Sequence, residues 1–362
     1  MSAEELLGMI VDEPSEDIYR QASERFDSLA KPLDGFGAFE DMICRIASMQ
    51  RRVIPDISKK ALVIMIADNG VTDEGVTQTD RSVTEAVARL MGKCESTVGI
   101  QTSGYPLSVI PVDVGIDSDE AIPGVVDKKV ARGSGNIAKT AAMSEKECLA
   151  AILAGIDTVR ACAKCGMGMI ATGEMGIGNT TTSTALLCAL CGMPPKDVTG
   201  RGAGLSDEGL FRKINVIEDA LRLHGFWGDV PSCIDARYAL SALATVGGFD
   251  IAGLAGVFIG CAENHIPAVI DGAISAVAAL TAHYILPGCE RYMLASHKGK
   301  ENVSKRALDI LGLRPVIDAD LAIGEGTGAV MLFPLLDMVM SVYSGGTAFD
   351  DAGIGRYERF DI

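Results

Sequence analysis

The chain has 362 residues, 48% hydrophobic, 22% charged and 5% aromatic, so a small disulfide-stapled fold is excluded and a large core must come from Ala, Val, Ile, Leu and Met. Its 32 basic and 48 acidic residues give a net charge of −16 with no Lys/Arg block, which argues against nucleic acid as a partner. The acidic start MSAEELLGMIVDEPSED lacks the pattern of a secretory signal, and the apolar tracts Ile251 to Ala262 and Gly272 to Ala282 are too short to span a membrane. A cytoplasmic protein with no membrane partner is the expectation.

Residues 1–30 read as helical without a strand. From 31 to 329, short apolar runs alternate with longer Ala-rich segments of helical period, the pattern of βαβ units and an α/β fold. The strands are predicted at Ala61 to Ala67, Leu107 to Gly115, Gly168 to Gly173, His265 to Gly272 and Arg291 to Ser296. Most are apolar on both faces, which implies a parallel sheet covered by helices on each side. Helices are predicted at Thr84 to Met91, Ser144 to Ala163, Thr181 to Leu190, Asp207 to Leu223, Phe249 to Ala262 and Ile274 to Ile285. Val330 to Tyr343 is again helical, so residues 330–362 are expected to pack with 1–30 as a small helical unit closing one edge of the sheet.

Ligands of an open parallel sheet bind beyond the carboxyl ends of its strands, where loops enter helix N-termini. After the third predicted strand comes Gly173-Glu174-Met175-Gly176-Ile177-Gly178-Asn179-Thr180, then a helix. The spacing copies a P-loop, except that Asn179 stands in place of the lysine. Glycine-rich amides at a helix start still favour an anion. The turn therefore fits one phosphate monoester, with a cation supplied by Lys213 or Arg201, better than a nucleoside triphosphate. Read alone, the same glycines serve a tight turn equally well.

A second turn, Gly324-Glu325-Gly326-Thr327-Gly328-Ala329, sets Glu325 at a helix start as either a cap or a general base. Dipole and free amides hold a carboxylate ionised, whereas burial raises it toward a base's working range. Asp68, Asp113 and Asp271 each follow an apolar strand, where they bond ribose hydroxyls or cap the next loop. His224, His265, His283 and His297 form no metal-binding pattern, and no G-x-S-x-G elbow occurs. Cys162/Cys165 and Cys188/Cys191 come near a four-cysteine zinc spacing, but they sit in helical runs and are expected as reduced core thiols. Neither metal nor cofactor is expected.

Together these motifs resemble the nicotinate-nucleotide:dimethylbenzimidazole phosphoribosyltransferase family over nearly the whole chain. They are ADNGVTDEGVT (Ala67 to Thr77), VDVGI (Val112 to Ile116), RGSGNIAKTAAMS (Arg132 to Ser144), GEMGIGNTTTSTAL (Gly173 to Leu186), GRGAGLSDEGLFRK (Gly200 to Lys213), GGFDIAGLAG (Gly247 to Gly256), PAVIDGAIS (Pro267 to Ser275), SHKG (Ser296 to Gly299) and GEGTGA (Gly324 to Ala329). The resemblance implies a Rossmann-like sheet and a homodimer, or a heterodimer with a paralogue in which this chain is a non-catalytic subunit. It implies transfer of 5-phosphoribosyl from nicotinate mononucleotide to an aromatic acceptor base, without a metal, in cobamide synthesis. Carried over by motif, Glu325 is the general base and Glu174 a second acid. Gly176, Gly178, Asn179, Thr180, Gly202 and Lys213 hold the 5′-phosphate, and Asp271 is the strand-end acid grouped with them as a phosphate- or ribose-binding candidate. The segment Thr77-Gln78-Thr79-Asp80-Arg81-Ser82 departs from the family's aromatic-Pro pattern, and Asn69 replaces a common histidine. Thr77, Thr79 and Asp80 thereby become the candidate acceptor-pocket residues, and the expected acceptor widens to other benzimidazoles, purines or phenolics.

Overall fold

The computed structural model describes residues 1–359 except 229 and 232; the end of the expected C-terminal unit, 360–362, lies outside them. Helices α1 (Ala3–Leu7), α2 (Glu16–Ser28) and α3 (Ala38–Gln50) precede the first strand, β1 (Lys60–Ala67). Then come α4 (Ser82–Gly92), α5 (Thr97–Gln101), β2 (Leu107–Gly115) and the two-residue β3 (Val126–Asp127). The long α6 (Glu145–Lys164) leads into β4 (Met169–Met175), α7 (Asn179–Cys191), α8 (Pro195–Val198), α9 (Asp207–Leu223), α10 (Ala236–Val246) and α11 (Phe249–Glu263). The chain closes with β5 (Ala268–Ile270), α12 (Ala273–Ile285), β6 (Met293–Ala295), α13 (Asn302–Leu311), α14 (Thr327–Gly345) and α15 (Phe349–Ala352).

The six strands form one sheet in the order β3-β2-β1-β4-β5-β6, and every neighbouring pair is parallel. All eight residues of β1 are buried, because helices cover both sides of this central strand. The strand order reverses between β1 and β4, the topological switch point where such sheets bind ligands. Helices α6 and α11 meet backbone to backbone: a Cβ on Gly155 would lie 2.0 Å from the Gly253 carbonyl, and one on Gly256 would lie 1.9 Å from that of Ile152. That close approach seats the otherwise apolar α11 against β1.

The sequence periods place β1, β2, α9 and α12 to within a residue or so. β5 and β6 are shorter than expected, because His265 leaves α11 with a left-handed backbone (φ +56) and Cys289–Tyr292 form a 3₁₀ turn. β4 is longer: Gly173 and Glu174 stay in register with Ile64 and Met65 of β1. The two chain ends touch through Phe26 and Tyr343, whose ring centroids are 4.5 Å apart, and Arg25 donates to the carbonyls of Tyr343 and Ser344. One hydrophobic cluster nevertheless runs from Ala3 through the sheet to Tyr343. Helix α14 is long and apolar enough to cross a membrane by length and composition, but it lies against α3 and β4 with half of its apolar stretch buried.

Candidate active site

The loops that follow β1 and β4 converge at the switch point. A Cβ on Gly176 would fall 2.5 Å from the Ala67 carbonyl, so only glycine lets the two strand ends close on each other. Gly178, with φ +96, then turns the chain into α7. Asn179, the first residue of that helix, does not face outward as a phosphate ligand's side chain would. It is 5% exposed, and its amide nitrogen donates to Glu174 Oε2 and, at 2.9 Å, to Asp250 Oδ2. What Asn179 can offer an anion is the start of the helix it opens.

Glu174 is the second-last residue of β4 and is buried at the strand's mouth. Burial first and the charge of Asp250 second push its carboxyl up to about 8, partly opposed by the Asn179 hydrogen bond. Its Oε1 faces Gly324: a Cβ there would lie 2.9 Å from it. Gly324, Glu325 and Gly326 all adopt positive φ (+90, +58 and +82). A left-handed backbone costs a non-glycine residue roughly 1–2 kcal/mol, so the surrounding structure must hold Glu325 there. Its Oε2 accepts from the Val98 amide at 3.1 Å, from the start of α5.

Asp271 does much of that holding. Its Oδ2 accepts from the Gly326 amide at 3.2 Å, and its Oδ1 accepts from those of Gly328 and Ala329 at 3.0 and 2.9 Å. With both oxygens on backbone amides and 3% of the residue exposed, Asp271 anchors the Glu325 loop, a placement different from the ribose contact expected of it. Burial raises its carboxyl and lowers the adjacent His297 imidazole, and each charged form favours the other. His297 fills the space above Gly328, where a Cβ would lie 2.2 Å from its ring.

The cationic part of the site comes from α9. Lys213 is fully buried, and its Nζ donates to Thr180 Oγ1 at 2.8 Å and to the Gly200 carbonyl at 3.2 Å. Burial lowers it to about 8, opposed by the charge of Glu301. Gly202, at φ +53, lies between Thr180 and Lys213, and its amide donates to Glu301 Oε1 at 2.9 Å. Thr180, Gly202 and Lys213 are thus brought together, whereas Arg201 is half exposed and paired with Asp207. An ammonium has three hydrogens, so Lys213 keeps one donor beyond these two bonds.

Of the acceptor-pocket candidates, Thr77 Oγ1 donates to the Thr79 carbonyl at 2.7 Å, and Asp80 Oδ1 accepts from the Ser82 amide at 2.9 Å. Their loop reaches the segment between α8 and α9 that carries Gly202, where Gln78 donates to the Gly204 carbonyl. Asp113 and Asp68 cap loops: Asp113 Oδ1 accepts from the Gly115 and Ile116 amides, and Asp68 Oδ2 accepts from that of Asp117. No group of three or more potential metal ligands occurs among the described residues. Sequence reasoning did not single out Val98 or Asp250. Asp250 had a signal, an acid inside the otherwise apolar run that becomes α11, while Val98 enters only through its backbone amide.

The DBI_PRT family model, described as a phosphoribosyltransferase, matches residues 11–354. The nicotinate-nucleotide–dimethylbenzimidazole phosphoribosyltransferase of Acetivibrio thermocellus is 40% identical over 352 residues, spanning 97% of each chain. The protein of that name from Ruminiclostridium cellulolyticum is 37% identical over 94% of this chain and 95% of its own. The crystal structure of CobT from Thermus thermophilus superposes with a TM-score of 0.87 at 34% identity, covering 94% of this chain and all of that one. With its glycine-mounted glutamate and glycine-rich turn at the switch point of a parallel sheet, this chain belongs to the DBI_PRT phosphoribosyltransferase family.

Proposed function

We propose that this enzyme transfers the 5-phosphoribosyl group of nicotinate mononucleotide to a ring nitrogen of an aromatic base, releasing nicotinate and forming the α-riboside 5′-phosphate used in cobamide synthesis. The observation that carries the reading is the mounting of Glu325. It sits on a left-handed, glycine-flanked turn anchored by Asp271, and its loop abuts the strand that leads into the Gly176–Thr180 turn. A base and an anion cradle thus share one strand end.

Lys213, Thr180 and the glycine amides would take the 5′-phosphate, fixing the ribose so that its C1′ faces the acceptor. The acceptor's unprotonated ring nitrogen attacks C1′ as the bond from C1′ to the nicotinate nitrogen breaks. The bonding pair leaves with nicotinate and discharges its pyridinium. Glu325 takes the N–H proton of the acceptor's other ring nitrogen, leaving the riboside neutral at the base. Attack opposite the leaving group inverts C1′ and gives the α product. In this reading α14 is a core helix of an enzyme that works in the cytosol as a dimer.

The test is conversion of nicotinate mononucleotide and an acceptor by the purified chain alone. Glu325→Gln is expected to lower kcat about 10²-fold or more. An unchanged rate would remove Glu325 from the chemistry. Turnover that appears only with a second, paralogous subunit would make this chain the non-catalytic partner.

A further inference from the structure

Asp250 is the second residue of α11 and is fully buried at the base of the site. Its Oδ2 and the Oε2 of Glu174 accept from the same nitrogen, Nδ2 of Asn179, whose two hydrogens serve one carboxyl each. The room for this arrangement is made by missing side chains. A Cβ on Gly176 would lie 2.6 Å from Asp250 Oδ2, and one on Gly248 would lie 2.7 Å from Asp250 Oδ1. Among the described residues Asp250 Oδ1 has no hydrogen-bond partner, and neither has the amide nitrogen of Asn69 beside it. Asn69 is near enough to favour the ionised form of Asp250 but is not in bonding geometry with it.

We propose that Asp250 is a positioning residue: through the shared Asn179 amide it keeps a proton on Glu174, so that Glu174 faces the Gly324 turn as a hydrogen-bond donor while Glu325 serves as the base. The inference rests on the assignment of Glu174 and Glu325 to the phosphoribosyl-transfer site. Like charges across one neutral donor in a dry site cannot both ionise without large cost. The groups facing Glu174 are Asp250 from α11, Asn179 from α7, Asp271 after β5 and Glu325 before α14: three acids and an amide. A lysine in the place of Asn179 would supply a cation and hold both carboxyls ionised; the amide leaves one of them protonated. The order of release follows from the surroundings. Burial pushes Asp250 up to about 6, and burial together with the charge of Asp250 pushes Glu174 up to about 8. The pair then titrates in two steps that belong to both carboxyls, and Asp250, in the first turn of α11 where free amides and the helix dipole favour a carboxylate, is placed to hold the charge while Glu174 holds the proton.

The experiment is a pH titration of carboxyl carbons by NMR on the full-length enzyme with ¹³C-labelled Glu, Glu174 being assigned by loss of its signal in Glu174→Gln. In the wild type, Glu174 should titrate well above the ordinary carboxylate range. In Asp250→Asn its midpoint should fall by roughly one pH unit or more, and the alkaline limb of the kcat/KM profile should move to lower pH with it. A purely structural role for Asp250 would lower stability or rate without moving either midpoint. A wild-type Glu174 that titrates as an ordinary carboxylate overturns the proposal even if Asp250→Asn fails to fold. An unmoved midpoint in folded Asp250→Asn overturns it too. A high midpoint that falls in Asp250→Asn supports the pairing even in an enzyme without phosphoribosyl turnover, a result that would count against the assigned reaction instead.

Discussion

Gly173→Ala tests whether catalysis depends on the fit between β4 and the Glu325 loop. The new Cβ would lie 2.7 Å from both the carbonyl carbon and the carbonyl oxygen of Glu325 and 2.8 Å from the Gly326 amide nitrogen. Ordinary contact begins at 3.4 Å, so the loop must retreat by 3.4 − 2.7 = 0.7 Å. It has little freedom to do so. The Asp271 carboxylate grips Gly326, Gly328 and Ala329, and Gly326 is packed against Leu62. Overpacking of this kind costs about 1–3 kcal/mol of stability. Displacing a reacting group on the order of 1 Å costs up to about 10²-fold in rate, so kcat should fall on the order of 10- to 100-fold. The KM for nicotinate mononucleotide should hold, because Thr180 and Lys213 are set by α7 and α9. The assay is steady-state release of nicotinate alongside thermal denaturation, with Gly345→Ala as the control, since nothing lies within 4 Å of a Cβ there. A folded Gly173→Ala enzyme with unchanged kcat would refute the idea that the strand positions Glu325.

The sequence made legible what depends on local pattern. Alternating apolar runs and Ala-rich helices gave the parallel sheet, and glycine spacing located the two turns at its strand ends. What it missed depends on three-dimensional closure. Asn179 stands where a P-loop has its lysine, and the family resemblance places it on the phosphate. Only the fold shows Asp250 arriving from α11 to draw its amide inward. Asp271 likewise reads as a strand-end acid with two open roles, and only the fold shows α14 beginning where its carboxylate meets that helix's first amides. Val98 contributes a main-chain hydrogen that no residue-type signal could reveal. β3 is two residues long, below any detectable period. The glycines themselves carried a meaning the sequence left half-read. At Gly173, Gly176, Gly324 and Gly326 they admit neighbouring chain, so that loops from distant segments interlock around two glutamates.

The remaining predictions address substrate binding, acceptor choice and the Glu325 anchor. Lys213→Met should weaken nicotinate mononucleotide about 10- to 100-fold, the equivalent of one charge-assisted hydrogen bond of about 1.5–3 kcal/mol, as read by calorimetry. Because burial lowers Lys213 to about 8, it loses its charge as pH rises through that value, so wild-type affinity should decline above it while the Lys213→Met enzyme shows no such limb. The charged, proline-free Thr77–Ser82 loop predicts that kcat/KM for adenine equals or exceeds that for dimethylbenzimidazole, and a strong benzimidazole preference would refute it. Asp271→Asn separates two roles for one carboxylate. As the anchor of the Glu325 loop, Asp271 accepts three amide hydrogens on two oxygens, whereas Asn has one acceptor oxygen and would turn an NH₂ group against the others. Each buried amide left unpaired costs about 1–3 kcal/mol, so the variant should melt earlier and lose kcat as Glu325 drifts, with the KM for nicotinate mononucleotide preserved. A ribose-binding carboxylate predicts the reverse split: KM should rise while the melting temperature stays, because a lost substrate contact leaves the free enzyme's amides untouched.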